Sequence, residues 1–313
     1  MPLYLTEDDV GRLVGVGDAI AALEACFPYW DRGGACNMPR QRLALPERAV
    51  NIMAASVPQL GVFGTKVYFR GCFHVTLYDI EGRRMLALIE ANLLGALRTG
   101  AASGVATRAL ARSDATTLGL IGTGKQARTQ LLAIAEVREL TDIRVFGRDA
   151  DRRAAFADDM AAETGLSVRA CDSAETCVAG ADIVVAATNS AEPVVLGDWL
   201  APGTHVNAIG ANAYARRELD ERAVRRAAVV AVDDRDQAAI EARELIDLAD
   251  SGALDWDDVV ELGPLLRGDV AGRADADDIT LYKSLGVAFE DVVFARTIHD
   301  RALAAGAGTR FAE

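Results

Sequence analysis

The sequence predicts an α/β protein that combines a doubly wound parallel sheet with a second, α+β region. From residue 114 onward, short apolar runs alternate with helical or turn segments, the pattern of parallel strands joined by crossover helices. Residues 40–84 instead alternate between apolar and polar positions and contain a turn signal at 79–82, which predicts a meander of β-strands. A length of 313 residues suits two such domains.

Helices are predicted on both sides of the meander. Thr6 is a suitable N-cap for a first helix, because the acidic residues that follow it favour the positive end of a helix. Apolar residues at helical spacing predict a second helix over 17–30 and a long helix, rich in small residues, over 90–112. A last helix is predicted after a short strand or turn near residue 280, and we expect it to return to the first region.

The parallel region is predicted to contain strands at six apolar runs. These runs cover residues 118–121, 143–146, 168–171, 183–187, 206–209 and 229–232. The stretch 234–249 is predicted to be helical, and the stretch 254–272 to be a looser, acidic segment.

A glycine-rich turn, IGTGKQA, follows the first of these strands and leads into a helix. Gly122 permits the tight turn, Gly124 lets the backbone approach a pyrophosphate, and Ala127 allows helix and strand to pack closely. The N–H groups and the dipole of the helix would then hold the phosphate charge. Taken alone, the pattern also fits an ordinary strand–helix turn. The candidate cofactor ligands here are Gly122, Thr123, Gly124, Lys125, Gln126 and Ala127.

Composition argues against several other functions. The formal net charge is -13 with a pI near 4.8, and no basic cluster stands out, which argues against nucleic-acid binding. Five scattered cysteines and three distant histidines do not suggest a metal site. The N-terminal segment lacks the features of a signal peptide, and no apolar run reaches membrane-spanning length. We therefore expect a soluble, cytoplasmic protein, and a carboxylate substrate would have to be captured by local arginines because the overall charge is negative.

Further motifs lie in a fixed order along nearly the whole chain: PRQRL, GTKVYF, ALIEANLLGALRTGAASGVATRAL, GLIGTGKQARTQ, ADIVVAATNS, PGTHVNAIGAN and ITLYKSLGVAFED. Together they resemble the ornithine cyclodeaminase/mu-crystallin family of NAD(P)-dependent enzymes. The resemblance implies a substrate-binding and dimerisation domain over residues 1–113 and 283–313, and a Rossmann-like dinucleotide-binding domain over 114–282. It also implies a homodimer and chemistry on α-imino or α-amino acids.

The same resemblance implies roles for particular residues of the first region. Composition alone would make Lys66 a solvated strand residue and Arg98 a helix arginine that reaches solvent. In the family pattern Lys66 instead contacts the substrate and supplies a proton as hydride arrives. Arg98 would bind the α-carboxylate, and Thr99 would contact the cofactor. Arg42 matches a second carboxylate-binding arginine better than Arg40, but both stay candidates.

Asn212 is the main departure from the family pattern. Cyclodeaminases and some dehydrogenases of the family carry an aspartate there, which accepts a proton from an amine, and an asparagine cannot act as a base. A preformed imine needs hydride and a proton but no such base. Asn212, as a candidate substrate ligand, therefore favours reduction of a small α-imino acid, or in reverse the oxidation of an amino acid.

Two alternatives remain open at this point. Glu218 or Asp220 could replace the missing aspartate, which would keep an ornithine or lysine cyclodeaminase possible. The alternative of a different class is a non-catalytic, mu-crystallin-like protein that binds a small ligand. Lys66 and the arginines speak against pure binding without excluding it.

The end of the second parallel strand bears on the choice of cofactor. An acidic residue there would bind the ribose of NAD, whereas an arginine suits the 2′-phosphate of NADP. Arg148 comes first and Asp149 follows it directly, so the sequence favours NADP(H) while NAD(H) stays open. Thr188 and Asn189 follow the fourth strand, at the sheet edge where cofactor and substrate are expected. The role of Lys283 is left open, since a surface lysine would also fit.

Overall fold

The computed structural model describes residues 1–45 and 48–312. They form two compact units. Unit 1 consists of Met1–Ala101 and Val287–Glu313, and unit 2 consists of Ala102–Gly286. The division falls inside a long helix, so that one continuous element contributes residues to both units.

Strands and helices are numbered separately along the chain. Over the described residues the strands are β1 (Leu3–Leu5), β2 (Cys36–Leu45), β3 (Arg48–Val57), β4 (Val62–Phe69), β5 (Cys72–Asp79), β6 (Arg84–Glu90), β7 (Thr117–Ile121), β8 (Asp142–Phe146), β9 (Val168–Ala170), β10 (Ile183–Ala186), β11 (His205–Ala208), β12 (Ala227–Val232), β13 (Val259–Glu261), β14 (Ile279–Lys283) and β15 (Thr309–Arg310). The helices are α1 (Glu7–Leu13), α2 (Val16–Cys26), α3 (Asn92–Leu110), α4 (Lys125–Val137), α5 (Ala150–Thr164), α6 (Ala174–Val178), α7 (Glu221–Arg225), α8 (Arg235–Glu241), α9 (Arg243–Asp250), α10 (Leu262–Arg267) and α11 (Ala288–Ala305).

Unit 1 is built on a mixed sheet. Its strand order is β15-β1-β6-β5-β4-β3-β2, with β1 parallel to β6 and the other neighbours antiparallel. The predicted meander is confirmed, and it begins earlier than expected, at Cys36. The sequence did not predict β1 and β15, because strands of three and two residues are too short to show a period. These two strands come from opposite ends of the chain and join both ends to one sheet.

Helix α11 packs along one face of this sheet, against β3, β4 and β5. The approach is closest at Gly64 of β4, where an added Cβ would lie 2.8 Å from Cγ2 of Val292. Near the start of the helix, Phe289 makes a T-shaped contact with Trp30, with ring centroids 5.1 Å apart. These contacts fix the first turn of α11, which carries two acidic residues, against the sheet.

The N-terminal helices follow the prediction with one difference. Thr6 caps α1 and forms a capping box with Asp9, as its side chain accepts from the Asp9 N–H at 3.2 Å. The second helix ends at Cys26 rather than at residue 30, and a 3₁₀ turn over Phe27–Tyr29 follows it. Pro28 explains this end, because proline has no N–H for the next helical hydrogen bond.

Unit 2 is built on a sheet whose neighbouring strands are all parallel. The strand order is β13-β12-β14-β11-β10-β7-β8-β9. The predicted doubly wound sheet is confirmed, and each of the six apolar runs forms a strand. Residues of β10 are buried throughout and alternate between two hydrophobic clusters, one on each face. Burial on both faces explains why these strands are apolar runs rather than alternating ones.

Two parts of unit 2 differ from the prediction. The helix predicted over 234–249 is divided into α8 and α9 by Ala242, whose φ of −86° and ψ of 80° are not helical. The break allows Ala238, Ala242 and Leu245 to enter the same buried cluster. The segment predicted to be looser, 254–272, contains β13 and α10, which are too short to show a clear period.

The described residues also bear on membrane, metal and disulfide chemistry. None of their helices is both long and apolar enough to cross a membrane. They contain no group of three or more His, Cys, Asp or Glu side chains placed to hold a metal ion. The five cysteines are free thiols, of which Cys36 is exposed.

Candidate functional site

The glycine-rich turn of unit 2 joins β7 to α4. Gly122 has a φ of +124°, and a Cβ there would overlap the carbonyl oxygen of Ala187 and lie 3.0 Å from its carbon. Glycine adopts this conformation without strain, whereas other residues do not. Gly124 is the N-cap of α4, and an added Cβ there would meet no described atom within 4 Å. Ala127 is fully buried, so its small size allows α4 to pack closely.

This turn fits the pyrophosphate of a dinucleotide. The first N–H groups of α4 have no acceptor within the helix, and the helix dipole adds positive potential at the same end. Gly124 and Lys125 are exposed, while Thr123 and Gln126 are half-buried. Thr123 also lies against the tip of β8, since a Cβ at Gly147 would be 2.9 Å from its Cγ2. The turn therefore leaves the helix N-terminus accessible and brings the β8 tip beside it.

The two charged residues at the tip of β8 have different surroundings. The Asp149 side chain caps α5 by accepting from the Arg152 N–H at 2.9 Å. Arg148 and Arg152 are exposed. Arg153 turns back, donates to the Gly147 carbonyl at 2.9 Å and lies over the Phe146 ring. The Asp149 side chain thus caps α5, while Arg148 and Arg152 remain at the surface.

Thr188 and Asn189 follow β10, as predicted, and a buried acid holds their loop. Glu218 accepts from the N–H and the hydroxyl of Thr188 at 2.7 and 2.8 Å. Its other oxygen accepts from the N–H groups of Gly210 and Ala211 at 2.6 and 3.0 Å. Glu218 is fully buried, and burial raises the pKa of its carboxyl. It therefore joins the loops after β10 and β11, a role that the sequence did not reveal. Asn189 is exposed.

Asn212 lies half-buried in the loop after β11. Its neighbour Ala211 accepts a hydrogen bond of 2.6 Å from Nζ of Lys283, which also lies 3.0 Å from Glu244. Lys283 is fully buried, so it is not a surface lysine. Asp220 caps α7 by accepting from the Ala223 N–H at 2.9 Å. Both acids considered as substitutes for the missing aspartate, Asp220 and the Glu218 described above, thus have structural partners.

A second group of charged residues lies in unit 1. Lys66, Arg98, Glu290 and Asp291, here termed the lysine cluster, are all buried. Nζ of Lys66 donates to Oδ1 of Asp291 at 2.7 Å. Nε of Arg98 donates to the same oxygen at 3.1 Å, and its Nη1 donates to Oε2 of Glu290 at 2.5 Å. The cluster therefore joins β4, α3 and the first turn of α11 through a single carboxylate oxygen.

The sheet explains the position of Lys66. It pairs with Met53 on β3 and with Val75 on β5, both fully buried, so it points to the face covered by α11. Burial lowers the pKa of Lys66 to about 8, with Asp291 opposing this effect and Arg98 and Arg40 adding to it. A lysine with such a pKa is protonated at neutral pH and still releases its proton readily.

The two candidate arginines of β2 differ in exposure. The pairing of β2 with β3 shifts between Met38 and Gln41, which leaves Pro39 and Arg40 opposite the single residue Met53. Such a bulge redirects side chains. Arg40 is buried and acts on the pKa of Lys66, whereas Arg42 is exposed. The structure therefore associates Arg40 with the lysine cluster, whereas the family resemblance favoured Arg42.

Thr99 and Gly95 lie on α3 near the same cluster. Thr99 is buried, and its hydroxyl donates to the Gly95 carbonyl at 2.7 Å. A Cβ at Gly95 would lie 3.1 Å from Nζ of Lys66, so a small residue leaves room for the ammonium. The predicted contact of Thr99 with the cofactor stays a prediction. Sequence reasoning missed Glu290 and Asp291, and the available signal was a pair of acids inside the apolar run VAFEDVVF.

The parallel sheet with its glycine-rich turn defines a dinucleotide-binding α/β protein. The model of the ornithine cyclodeaminase/mu-crystallin family matches residues 2–306. The chain belongs to this family, which confirms the resemblance seen in its motifs.

Individual relatives are similar over nearly their full length. Delta(1)-pyrroline-2-carboxylate reductase of Bacillus cereus is 34% identical over 93% of this chain and 89% of the relative. The solved Delta(1)-pyrroline-2-carboxylate reductase of Thermococcus litoralis, in complex with NADH and L-proline, is 32% identical with a TM-score of 0.94 and covers 99% of this chain and 100% of its own. An archaeal alanine dehydrogenase dimer with bound NAD is 29% identical with a TM-score of 0.92 and covers 99% of both chains.

Proposed function

We propose that this protein reduces a small α-imino acid to the α-amino acid with a nicotinamide cofactor, and runs in reverse as an amino-acid dehydrogenase. It is an NAD(P)-dependent oxidoreductase acting on CH–NH or CH–NH2 groups, the class to which its relatives belong. The observation that carries the proposal is the lysine cluster, in which a buried ammonium and a buried guanidinium share one oxygen of Asp291.

The arginines would hold the α-carboxylate of the substrate. A guanidinium has several N–H donors in a planar fork, so Arg98 can pair with Glu290 and Asp291 and also bind a carboxylate. Arg40 supplies a second buried cation beside the cluster. We assign the second carboxylate contact to Arg40 rather than to the exposed Arg42. The chain has a negative net charge and does not attract an anionic substrate at long range. Direct contacts of the substrate carboxylate with Arg98 and Arg40 therefore have to provide the binding energy.

Lys66 would supply the proton. When bound, the nicotinamide supplies hydride to the imine carbon. Lys66, with a pKa of about 8, is mostly protonated at neutral pH and can hold its proton toward the imine nitrogen. Reduction then leaves an amino group on the product and a neutral lysine that regains its proton from solvent. In the reverse direction the neutral lysine accepts the proton.

Asn212 supports reduction over cyclodeamination. A cyclodeaminase that starts from a diamino acid needs a base, and an amide does not provide one. Glu218 accepts four hydrogen bonds from neighbouring loops, and Asp220 caps α7. Neither acid is positioned as a replacement base, because both are already part of the local structure.

We assign NADP(H) as the preferred cofactor. The side chain of Asp149 caps α5, which leaves Arg148 as the charged residue at the tip of β8 that suits a 2′-phosphate. Arg152, exposed in the first turn of α5, adds a second positive charge nearby. The solved pyrroline-2-carboxylate reductase and alanine dehydrogenase described above contain NADH and NAD, so the preference for NADP(H) rests on Arg148 and Asp149 of this chain.

We assign dinucleotide binding to unit 2, and substrate binding and dimer formation to unit 1. The face of the unit 1 sheet opposite α11 exposes apolar residues. Ile52 pairs with Val67 across β3 and β4, and Phe63 stacks on Tyr78 with ring centroids 4.7 Å apart. Exposed apolar sheet faces of this kind are typical of interfaces. The related archaeal alanine dehydrogenase is a dimer, and we propose a homodimer here.

A cofactor-oxidation assay tests the proposed function. NADPH and NADH are followed in parallel with cyclic imines such as pyrroline- and piperideine-2-carboxylate, and with 2-oxo acids plus ammonia or methylamine. Ornithine and lysine with oxidised cofactor serve as the cyclodeaminase control. We expect oxidation with at least one imine, faster with NADPH, and no ammonia release from the diamino acids.

Two results would contradict the proposal. Proline and ammonia formed from ornithine would show that Asn212 does not prevent cyclodeamination. Tight binding of an imino acid without any turnover, measured by calorimetry, would favour a ligand-binding protein.

A further inference from the structure

We propose that Asp291 is a positioning residue for imine reduction: its Oδ1 holds the Lys66 ammonium and the Arg98 guanidinium side by side and keeps the lysine protonated until the imine is reduced. The inference rests on the proposed function and deepens it. It assigns to the first turn of α11 the task of aligning the proton donor with the group that binds the substrate carboxylate.

The geometry supports a shared anchor. Oδ1 of Asp291 accepts from Lys66 at 2.7 Å and from Arg98 at 3.1 Å, and Asp291 has no solvent exposure. Charge-assisted hydrogen bonds of this length are strong and directional. Glu290 accepts from Arg98 through Oε2 at 2.5 Å, whereas the described ammonium hydrogen bond of Lys66 goes to Asp291. Asp291 is thus the member of the acidic pair that contacts both cations.

The fold keeps this anchor in place. Asp291 and Glu290 lie in the first turn of α11, where the helix dipole stabilises negative charge. The next residue, Val292, packs against Gly64, two positions before Lys66 on β4. A shift of α11 would therefore collide with the strand that carries the lysine.

Asp291 also stabilises the protonated form of Lys66 against the surrounding positive charges. The charged groups that act on Lys66 are Asp291 from α11, Arg98 from α3 and Arg40 from β2. Two of these are cations, and burial also disfavours the ammonium, so both effects lower the pKa of Lys66. Asp291 is the group that opposes them. Without its charge, a larger fraction of Lys66 would be neutral at physiological pH and unable to donate.

The small number of lysines allows a direct test without turnover. The chain has three, Lys66, Lys125 and Lys283. In protein labelled with 13C at lysine Cε, each residue gives a signal whose chemical shift follows its protonation, and Lys66→Gln assigns one of them. We expect Asp291→Asn to lower the measured pKa of Lys66 by about one unit or more. Glu290→Gln, the matched control, should move it much less, because Asp291 is the acid that is hydrogen-bonded to Lys66 and Glu290 pairs with Arg98.

Kinetics then separate positioning from simple structural support. In Asp291→Asn, the pH above which kcat/KM falls should shift down together with the Lys66 titration, whereas Glu290→Gln should mainly raise KM. Asp291→Glu, which keeps the charge, should return the pH profile toward that of the wild type. Thermal unfolding of each variant shows whether it is folded. If Asp291→Asn does not fold, the pKa of Lys66 is measured in Asp291→Glu instead, where we expect it to stay near the wild-type value and a large decrease would overturn the role of the carboxylate charge.

The outcomes distinguish the two proposals. An unchanged Lys66 titration in folded Asp291→Asn, with Lys66→Gln inactive, overturns the positioning role and leaves the proposed function intact. Wild-type imine reduction by Lys66→Gln overturns the positioning role and the assignment of Lys66 as proton donor, while imine reduction itself stands. No oxidation of either cofactor by the wild type with any imine overturns the proposed function.

Discussion

Replacing Gly122 with alanine should reduce both the stability of unit 2 and its cofactor affinity. A φ of +124° costs a residue with a side chain about 1–3 kcal/mol. The new Cβ would also overlap the carbonyl of Ala187, which follows β10, and relieving such a contact costs about 1–3 kcal/mol more. We therefore expect the free energy of unfolding to fall by about 2–6 kcal/mol, measured by urea denaturation followed by circular dichroism.

Gly124→Ala is the matched control for this experiment. Gly124 has a φ of −97°, and an added Cβ meets no described atom within 4 Å, so only the weaker N-cap preference of alanine, about 1 kcal/mol, should reduce stability. The methyl group would nevertheless lie where the pyrophosphate approaches the backbone. We expect the Kd for the cofactor, measured by fluorescence titration, to rise by about tenfold or more.

Two results would refute this reasoning. Wild-type cofactor affinity in Gly124→Ala would show that the pyrophosphate does not lie over this turn. An unchanged free energy of unfolding in Gly122→Ala would show that the loop after β10 moves away from the new Cβ without cost.

Three further predictions concern other parts of the site. Arg148→Gln should raise KM for NADPH by about tenfold and leave KM for NADH within about twofold, since only NADPH carries the 2′-phosphate; equal changes in the cofactor-oxidation assay would contradict this. Glu218→Ala should lower the free energy of unfolding by about 3–5 kcal/mol, because three backbone N–H groups, one buried and two half-buried, lose their acceptor; a urea midpoint like that of the wild type would show that Glu218 does not hold the two loops together. For imine reduction, kcat/KM should fall as pH rises through about 8, because Lys66 must carry its proton, and a level profile from pH 7 to 10 would exclude it as the acid.

Local patterns in the sequence were sufficient for the six predicted parallel strands and the glycine-rich turn of unit 2. A strand, two glycines and a helix start occupy adjacent positions, and each constrains the backbone within a few residues. The same holds for the six apolar runs, whose burial on both faces removes the alternation that would mark an exposed strand. Where the signal is short, as in β13 and α10, the prediction fails for the same reason.

The choice between Arg40 and Arg42 shows a different limit. The two residues differ by two positions, so a regular strand places both side chains on one face. The bulge opposite Met53 leaves Arg40 buried near Lys66 and Arg42 exposed. A bulge depends on how two strands pair, and the sequence of one strand does not reveal it. Alignment of motifs alone therefore could not separate these arginines.

The lysine cluster shows which part of a site is predictable and which is not. A buried charged group in an apolar segment needs a partner of opposite charge. Lys66, Arg98 and the two acids in VAFEDVVF lie in such segments, so each is expected to have an oppositely charged partner. That requirement could be read from the sequence. The pairing could not, because Arg98 and its acidic partners are separated by 192 and 193 residues. Only the packing of α11 on the sheet selects Asp291 to join the lysine and the arginine, and the closeness of Val292 to Gly64 is what fixes that packing.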